Sequence, residues 1–378
     1  MTQAGAPVAV ALAGLAALAV AMGIGRFAFT PLLPMMHEDA GLSVAEGGWL
    51  ASANYIGYLL SALWAALVPA RPAIAIRTGL AAIGLSTLGM SLDASIAGWA
   101  ALRAIAGIAS AWVLIHVSAW CLERLAPARS PLLEGALFAG VGIGIVAAGI
   151  LCVALMSAQA SSATAWRDLG LLSLAATVAM WGVFDSAGDA VRPPSAARRW
   201  SRGHAHLVLA YGAFGFGYII PATFIPLLAK QLIRDPLVFG WAWPLFGAAA
   251  AVSTLVVALA AKRIAGRILW PAAQLVMAFG VVAPLAWPGM GGILLAALCV
   301  GGTFMVITMA GMQEARRIAS PHASGLMAAM TAAFAAGQIA GPLLVSLVLA
   351  RGGGFSGSLL LGGATLVLGA AALFLRKP

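Results

Sequence analysis

Two arginines stand at depths where charge is scarce in this chain. Arg26 lies near the middle of an apolar run from about Val8 to Met36, and Arg103 lies within another, 96–120. If such runs cross a bilayer, an unpaired guanidinium at mid-depth costs roughly 3 kcal/mol or more, so something must face it. A water-filled cavity, an anion or a structural partner would each serve. Thr30, four residues on, and Met22, four residues before, share a helical face with Arg26. The competing reading is an arginine satisfied by main-chain carbonyls at a helix break near Pro31. Arg103 sits nearer a span end, where it could reach headgroups or a loop acid such as Asp93.

The charges that are missing narrow the chemistry further. No Asp or Glu falls in the central part of any apolar run; Glu134, Glu314 and Asp185 sit at one set of ends, Asp93 and Asp168 at the other. An exporter that binds a cation and a proton in turn normally needs a buried carboxylate. A core with two arginines and no carboxylate attracts anions instead. His116 shares the run of Arg103; with an unperturbed pKa of about 6.5 an imidazole can relay protons, or it can simply bond to a neighbouring helix. Asn54 and Tyr58, Phe214 and Tyr218, and Thr331, Phe334 and Gln338 share helical faces at three- or four-residue spacing. Such groups line cavities or hold helices together. The expected substrate contacts are therefore Arg26, Thr30, Asn54, Tyr58, Arg103, Tyr218, Phe334 and Gln338, with His116 as a candidate proton relay.

Other chemistries find no support. Cys121, Cys152 and Cys299 stand alone, with no paired-cysteine or Cys/His spacing, so neither a metal site nor a disulfide framework is expected. Gly23-x-Gly25 lies inside an apolar run with no strand before it, and no phosphate-binding loop of the Gly-x-x-x-x-Gly-Lys type occurs. No cofactor and no enzymatic acid/base pair are expected. The formal net charge of +10 comes from Lys and Arg in short loops, not from a basic stripe with interleaved aromatics, so nucleic acid is not an expected partner.

The elements that must position these residues are membrane helices. Of the 378 residues 62% are hydrophobic and 8% charged, with a mean hydropathy of +1.01; an ordinary soluble domain is about a quarter charged. Apolar runs long enough to cross about 30 Å of hydrocarbon recur throughout. They predict helices over 8–36, 47–68, 73–92, 96–120, 132–157, 166–186, 206–231, 239–261, 268–287, 290–312, 325–350 and 357–375. The first run is too long for a signal-peptide core and has no cationic region ahead of it, so it is expected to be retained. Alternate loops carry 15 and 4 Lys and Arg residues, which predicts that both termini are cytoplasmic. Trp49, Trp99, Trp166, Trp241, Trp243 and Trp287 mark one set of helix ends and Trp120, Trp181 and Trp270 the other.

The longest hydrophilic stretch, Ser186 to His206, holds Pro193-Pro194 and Arg198-Arg199 and divides the spans six and six. This predicts an N-terminal bundle over 1–186, a cytoplasmic linker over 187–205 and a C-terminal bundle over 206–378. The halves also echo each other. Gly23-x-Gly25 with Pro34 matches Gly215-x-Gly217 with Pro226 at the same offsets, and the second and eighth spans both open with Gly-Trp, at Gly48 and Gly240. Parallel duplication of this kind places a binding site between the halves.

With these features the chain resembles the major facilitator superfamily over its full length. The segment Gly25-Arg26-Phe27-Ala28-Phe29-Thr30-Pro31-Leu32-Leu33-Pro34, with Asn54-Tyr55-Ile56-Gly57-Tyr58, is similar to the signature of the YbfB/YjiJ branch. Arg103-x-x-x-Gly107-x-x-x-Ala111 resembles the superfamily's helix-four pattern, with Ala106 where Gln is usual, and Gly337-x-x-x-Gly341-Pro342 resembles its Gly-Pro packing motif. The acidic cytoplasmic loop motif is absent: loop 2–3 reads Pro69-Ala70-Arg71-Pro72, and loop 8–9 has Lys262 where Asp is usual. The resemblance implies an all-α membrane protein of twelve helices in two pseudo-symmetric bundles. It implies a secondary transporter working by alternating access, with helices one, four, seven and ten around the site, acting as a monomer. Taken with the arginines, this predicts transport of a small organic or inorganic anion across a bacterial inner membrane, by proton symport or by exchange. Efflux of a neutral or amphipathic metabolite through an aromatic and Met-rich pocket is the alternative, and a non-transporting receptor or assembly protein is a third.

Overall fold

A transmembrane segment must satisfy its backbone internally, and a long apolar run does so as a helix. The computed structural model describes residues 5–68, 70–92, 95–184, 202–232, 241–260, 266–319, 323–350 and 355–374. Among these the chain forms twelve helical spans and no strand. The first, α1, is composite: α-helix Gly5–Leu18, π-helix Ala19–Phe27 and α-helix Phe29–Asp39. Then follow α2 (Val44–Leu67), α3 (Pro72–Gly89), α4 (Ile96–Leu125), α5 (Pro131–Ser157) and α6 (Ser162–Met180). The second half comprises α7 (Arg202–Leu232), α8 (Ala242–Ala260), α9 (Gly266–Ala286), α10 (Met290–Ala319), α11 (Ala323–Ala350) and α12 (Phe355–Phe374). Eleven of these are long and apolar enough to cross a membrane; α6 falls outside that group because Arg167 and Asp168 lie in its second turn.

Every expected span coincides with a helix, but the ends differ where polar residues continue a helix beyond its apolar stretch. The tenth span was expected to stop at Met312, yet α10 runs on through Gln313, Glu314, Arg316 and Arg317 to Ala319. All four are good helix formers, and their side chains leave the apolar layer. The expected linker 187–205 lies mostly outside the described residues, as does Lys262 of loop 8–9; α7 begins at Arg202.

Local signals set the helix starts. Ser43, Ser95 and Ser161 cap α2, α4 and α6, each side chain accepting from the backbone N–H three residues on. Ser43 and Glu46 form a reciprocal capping box. Pro72 and Pro131 open α3 and α5, where the missing N–H costs nothing.

Packing repeats with an offset of six helices. The α1–α5, α2–α4, α3–α4 and α3–α6 contacts of the first bundle recur as α7–α11, α8–α10, α9–α10 and α9–α12 in the second. The α1–α5 and α7–α11 pairs are brought together by glycines at corresponding places. A Cβ on Gly23 would overlap the backbone of Gly144, and one on Gly215 the backbone of Phe334. The bundles meet through α5 against α8 and α2 against α11, again a symmetric pair.

One end of this interface carries an ionic tie. Here the ends of α4 and α10 meet the start of α5, beside the Arg-rich loops (the basic face below). Gln313 Nε2 donates to Glu134 Oε2 at 2.7 Å, Arg316 Nη2 to Glu134 Oε1 at 3.3 Å, and Arg316 Nη1 to the Leu122 carbonyl at 2.9 Å. These bonds join the halves at the face where the acidic loop motif is missing.

Candidate functional site

The site begins with a broken helix. Ala19–Phe27 is wound as a π-helix, and Pro31 follows without an N–H to offer the Phe27 carbonyl. The Phe27 carbonyl is thus left without its helical donor, while Ala28 still donates to Ile24 and accepts from Leu32, and the carbonyls of Gly25 and Arg26 beside the break accept from side chains. Two side chains answer them. Arg103 on α4 donates from Nη1 to the Gly25 carbonyl at 3.2 Å and from Nη2 to the Arg26 carbonyl at 3.3 Å. Asn54 on α2 donates to the Arg103 carbonyl at 3.0 Å and to Gly25 at 3.5 Å. The cationic head of Arg103 also lies 4.8 Å from the Phe29 ring centroid. Positive charge at exposed helix carbonyls is favourable. Arg103 and Asn54 thus clamp the break.

The break turns Arg26 the other way, toward the second bundle. Its Nη2 donates to Gln338 Oε1 on α11. Its guanidinium carbon stands 4.2 Å from the Tyr58 ring centroid, 5.4 Å from Phe27, 5.5 Å from Tyr55 and 5.6 Å from Phe334. Each ring face offers it favourable quadrupole electrostatics. Arg26 is only 4% exposed, and its Nε and Nη1 have no hydrogen-bond partner. Among the described residues no carboxylate lies within ion-pair distance of either Arg26 or Arg103. The result is a buried cation beside one neutral amide, the Tyr58 hydroxyl and four rings, with Nε and Nη1 to spare.

A wall of aromatic rings extends from this point. Phe27 meets Phe304 of α10 at 5.9 Å and Trp243 of α8 at 6.4 Å between centroids. Tyr218 of α7 stacks on Phe304 at 5.5 Å and on Phe334 at 6.2 Å. The Trp243 indole N–H is buried without a partner.

The residues expected from spacing thus divide. Arg26, Tyr58 and Gln338 meet with Phe334, and Tyr218 reaches the group by stacking on Phe334. Asn54 and Arg103 are brought to the same helix break but face its carbonyls. Thr30 is exposed while Arg26 is buried: the π-turn changes the residues per turn, so a four-residue spacing across it no longer keeps one face. His116 sits one turn from Trp112 on α4, with Nδ1 at 2.8 Å from the Trp112 carbonyl and its ring 4.5 Å from the indole. Tyr55, Phe27, Phe304 and Trp243 were not anticipated. Tyr55 lies three residues before Tyr58 on the same helical face, and that spacing could have selected it. The lining also draws on α2 and α11, outside the four helices implied by the resemblance.

Comparison with solved structures finds the same architecture in the human organic anion transporter MFSD10 (TETRAN), with a TM-score of 0.74. The match covers 99% of this chain and 100% of that one at 16% sequence identity. No curated protein matches by sequence. Residues 18–374 match the family described as the uncharacterised MFS-type transporter YbfB. This match takes in the break in the first helix and all the residues around Arg26. The chain belongs to that branch of the major facilitator superfamily and is a multi-pass membrane transporter of small molecules, not an enzyme.

Proposed function

We propose that this protein carries a small anion across the bacterial inner membrane by alternating access, with the anion held at Arg26. One observation carries the reading: a guanidinium 4% exposed, with Nε and Nη1 unpartnered and no carboxylate beside it. A buried cation left this way is costly in an empty protein, and a negatively charged ligand relieves the cost. The neighbouring Arg103 is as buried but has carbonyl acceptors on both Nη atoms, so its role is to hold the break that aims Arg26. Tyr58, Phe334, Tyr218 and Gln338 complete the surroundings. MFSD10, whose structure shares the fold, is an organic anion transporter and offers a precedent for anions in this architecture.

In this reading the bundles, 1–186 and 206–378, rock about the site as a monomer. The excess of basic residues in one set of loops supports cytoplasmic termini. The Glu134–Arg316–Gln313 tie then holds the cytoplasmic side shut, and the Phe27–Trp243–Phe304 rings cover the opposite side. His116 is the candidate for a coupling proton.

The test is uptake in proteoliposomes by wild type, Arg26→Gln and Arg26→Lys. Saturable uptake of a labelled anion should be lost in Arg26→Gln and partly kept in Arg26→Lys. Unchanged uptake by Arg26→Gln removes Arg26 from the site.

A further inference from the structure

Resting on the anion reading, we infer that the substrate is a monovalent carboxylate with a flat apolar or aromatic body, and that its carboxylate displaces Gln338 from Arg26. The charge argument comes first. Of the two buried arginines at the helix break, Arg26 is the one with an Nη group that has no acceptor, whereas both Nη groups of Arg103 donate to main-chain carbonyls. One free cation neutralises one negative charge. A second charge on a dianion would have to be desolvated against Arg103, whose Nη atoms are committed to the helix break, and would gain little there.

The surroundings argue against a small inorganic ion. Sulfate or phosphate is bound by many donors converging on its oxygens, usually backbone N–H groups and several cations. Around Arg26 the neighbours are instead the faces of Tyr58, Tyr55, Phe27 and Phe334. Beyond them Phe304 and Tyr218 continue the stacked set. Ring faces reward a flat apolar body through offset or edge contacts and offer nothing to a compact hydrated anion. The unpartnered Trp243 indole N–H adds a donor at the far side of this wall, suited to a polar tip on the ligand's body.

Gln338 explains how the empty site tolerates its charge. Its amide oxygen, on α11 of the second bundle, accepts from Arg26 Nη2 of the first. An amide is a neutral acceptor; a carboxylate makes a charge-assisted, bidentate-capable bond about twice as strong. Carboxylate binding therefore breaks a bond that ties the two bundles together at mid-depth. Ligand capture and bundle separation become one event. After release, Gln338 returns to Arg26, and the empty carrier is again held without a bare cation.

The experiment is calorimetric titration of purified protein with benzoate, benzamide, acetate, phthalate and sulfate. Benzoate should bind; benzamide, phthalate and sulfate should bind at least roughly tenfold more weakly, and acetate weakly for want of a body. Gln338→Leu should bind benzoate more tightly, since no internal acceptor competes. Gln338→Glu should lose benzoate binding while gaining thermal stability, since its carboxylate fills the position internally. Should Gln338→Leu fail to fold, Gln338→Glu alone decides. Sulfate or phthalate binding as well as benzoate, with loss in Arg26→Gln, overturns the substrate class and leaves the anion reading standing. Equal binding of benzamide and benzoate, or binding unaffected by Arg26→Gln, overturns both in favour of a neutral ligand. Unaltered benzoate binding in Gln338→Glu overturns the displacement.

Discussion

Arg26 and Arg103 are equally buried, yet methionine at Arg26 should leave stability unchanged or slightly raised, and methionine at Arg103 should lower it. In Arg26→Met, two unpartnered donor atoms disappear. Each buried unsatisfied group costs about 1–3 kcal/mol, so about 2–6 kcal/mol is relieved. Against this stand the charged bond to Gln338, about 1.5–3 kcal/mol, and the ring contacts, about 0.5–2 kcal/mol. Matched end to end, the difference lies between near zero and a stabilisation of about 1 kcal/mol, in keeping with buried charges replaced by apolar residues of similar volume. Arg103→Met removes two charge-assisted bonds to carbonyls, about 3–6 kcal/mol together, while relieving only one unpartnered atom, Nε. A loss of about 2–3 kcal/mol follows. Reversible unfolding of both variants in the same detergent, in buffer free of carboxylates, measures the two differences side by side. If Arg26→Met loses as much stability as Arg103→Met, Arg26 is a satisfied structural arginine. The argument from its spare donors then fails.

Other outcomes follow from the same geometry. Asn54→Leu removes the donor to the Arg103 carbonyl and should cost about 1 kcal/mol; its benzoate affinity should change less than that of Arg26→Gln, as titration will show. Glu134→Arg should break the basic-face tie and raise cysteine labelling between α5 and α10, and the double exchange Glu134→Arg with Arg316→Glu should restore protection; labelling unchanged in the single variant would show that the tie does not hold that side shut. Gly23→Leu should abolish folded yield, because its side chain would enter the Gly144 backbone, whereas Gly48→Ala, with open space around it, should express normally.

The fold was legible because the bilayer leaves a chain few options. Twelve apolar runs give twelve helices, since no other open structure satisfies a backbone in lipid. The shared offsets of Gly23, Gly215 and their prolines were legible for a related reason: close helix crossings need glycine wherever they occur. Arg26 was legible through its cost at mid-depth. The limits of the reading are equally physical. A π-turn leaves no periodicity signal that a window of apolar residues can register, so the face expected for Thr30 did not materialise. The two arginines were alike in residue type, and the shallower depth expected for Arg103 did not show which of them would keep free donors.

The amino-acid sequence by itself determined the class of molecule, its twelve helices, its internal duplication and the scarcity of charge in its core, because these depend on local transfer energies and spacing. Only the tertiary structure decided which arginine spends its donors on the broken helix and which keeps them. That choice depends on where Gly25 and Arg26 present carbonyls to α4 and where α11 places Gln338. Hydrogen bonding between residues 77 to 312 positions apart has no local signature; it exists only once the helices have packed.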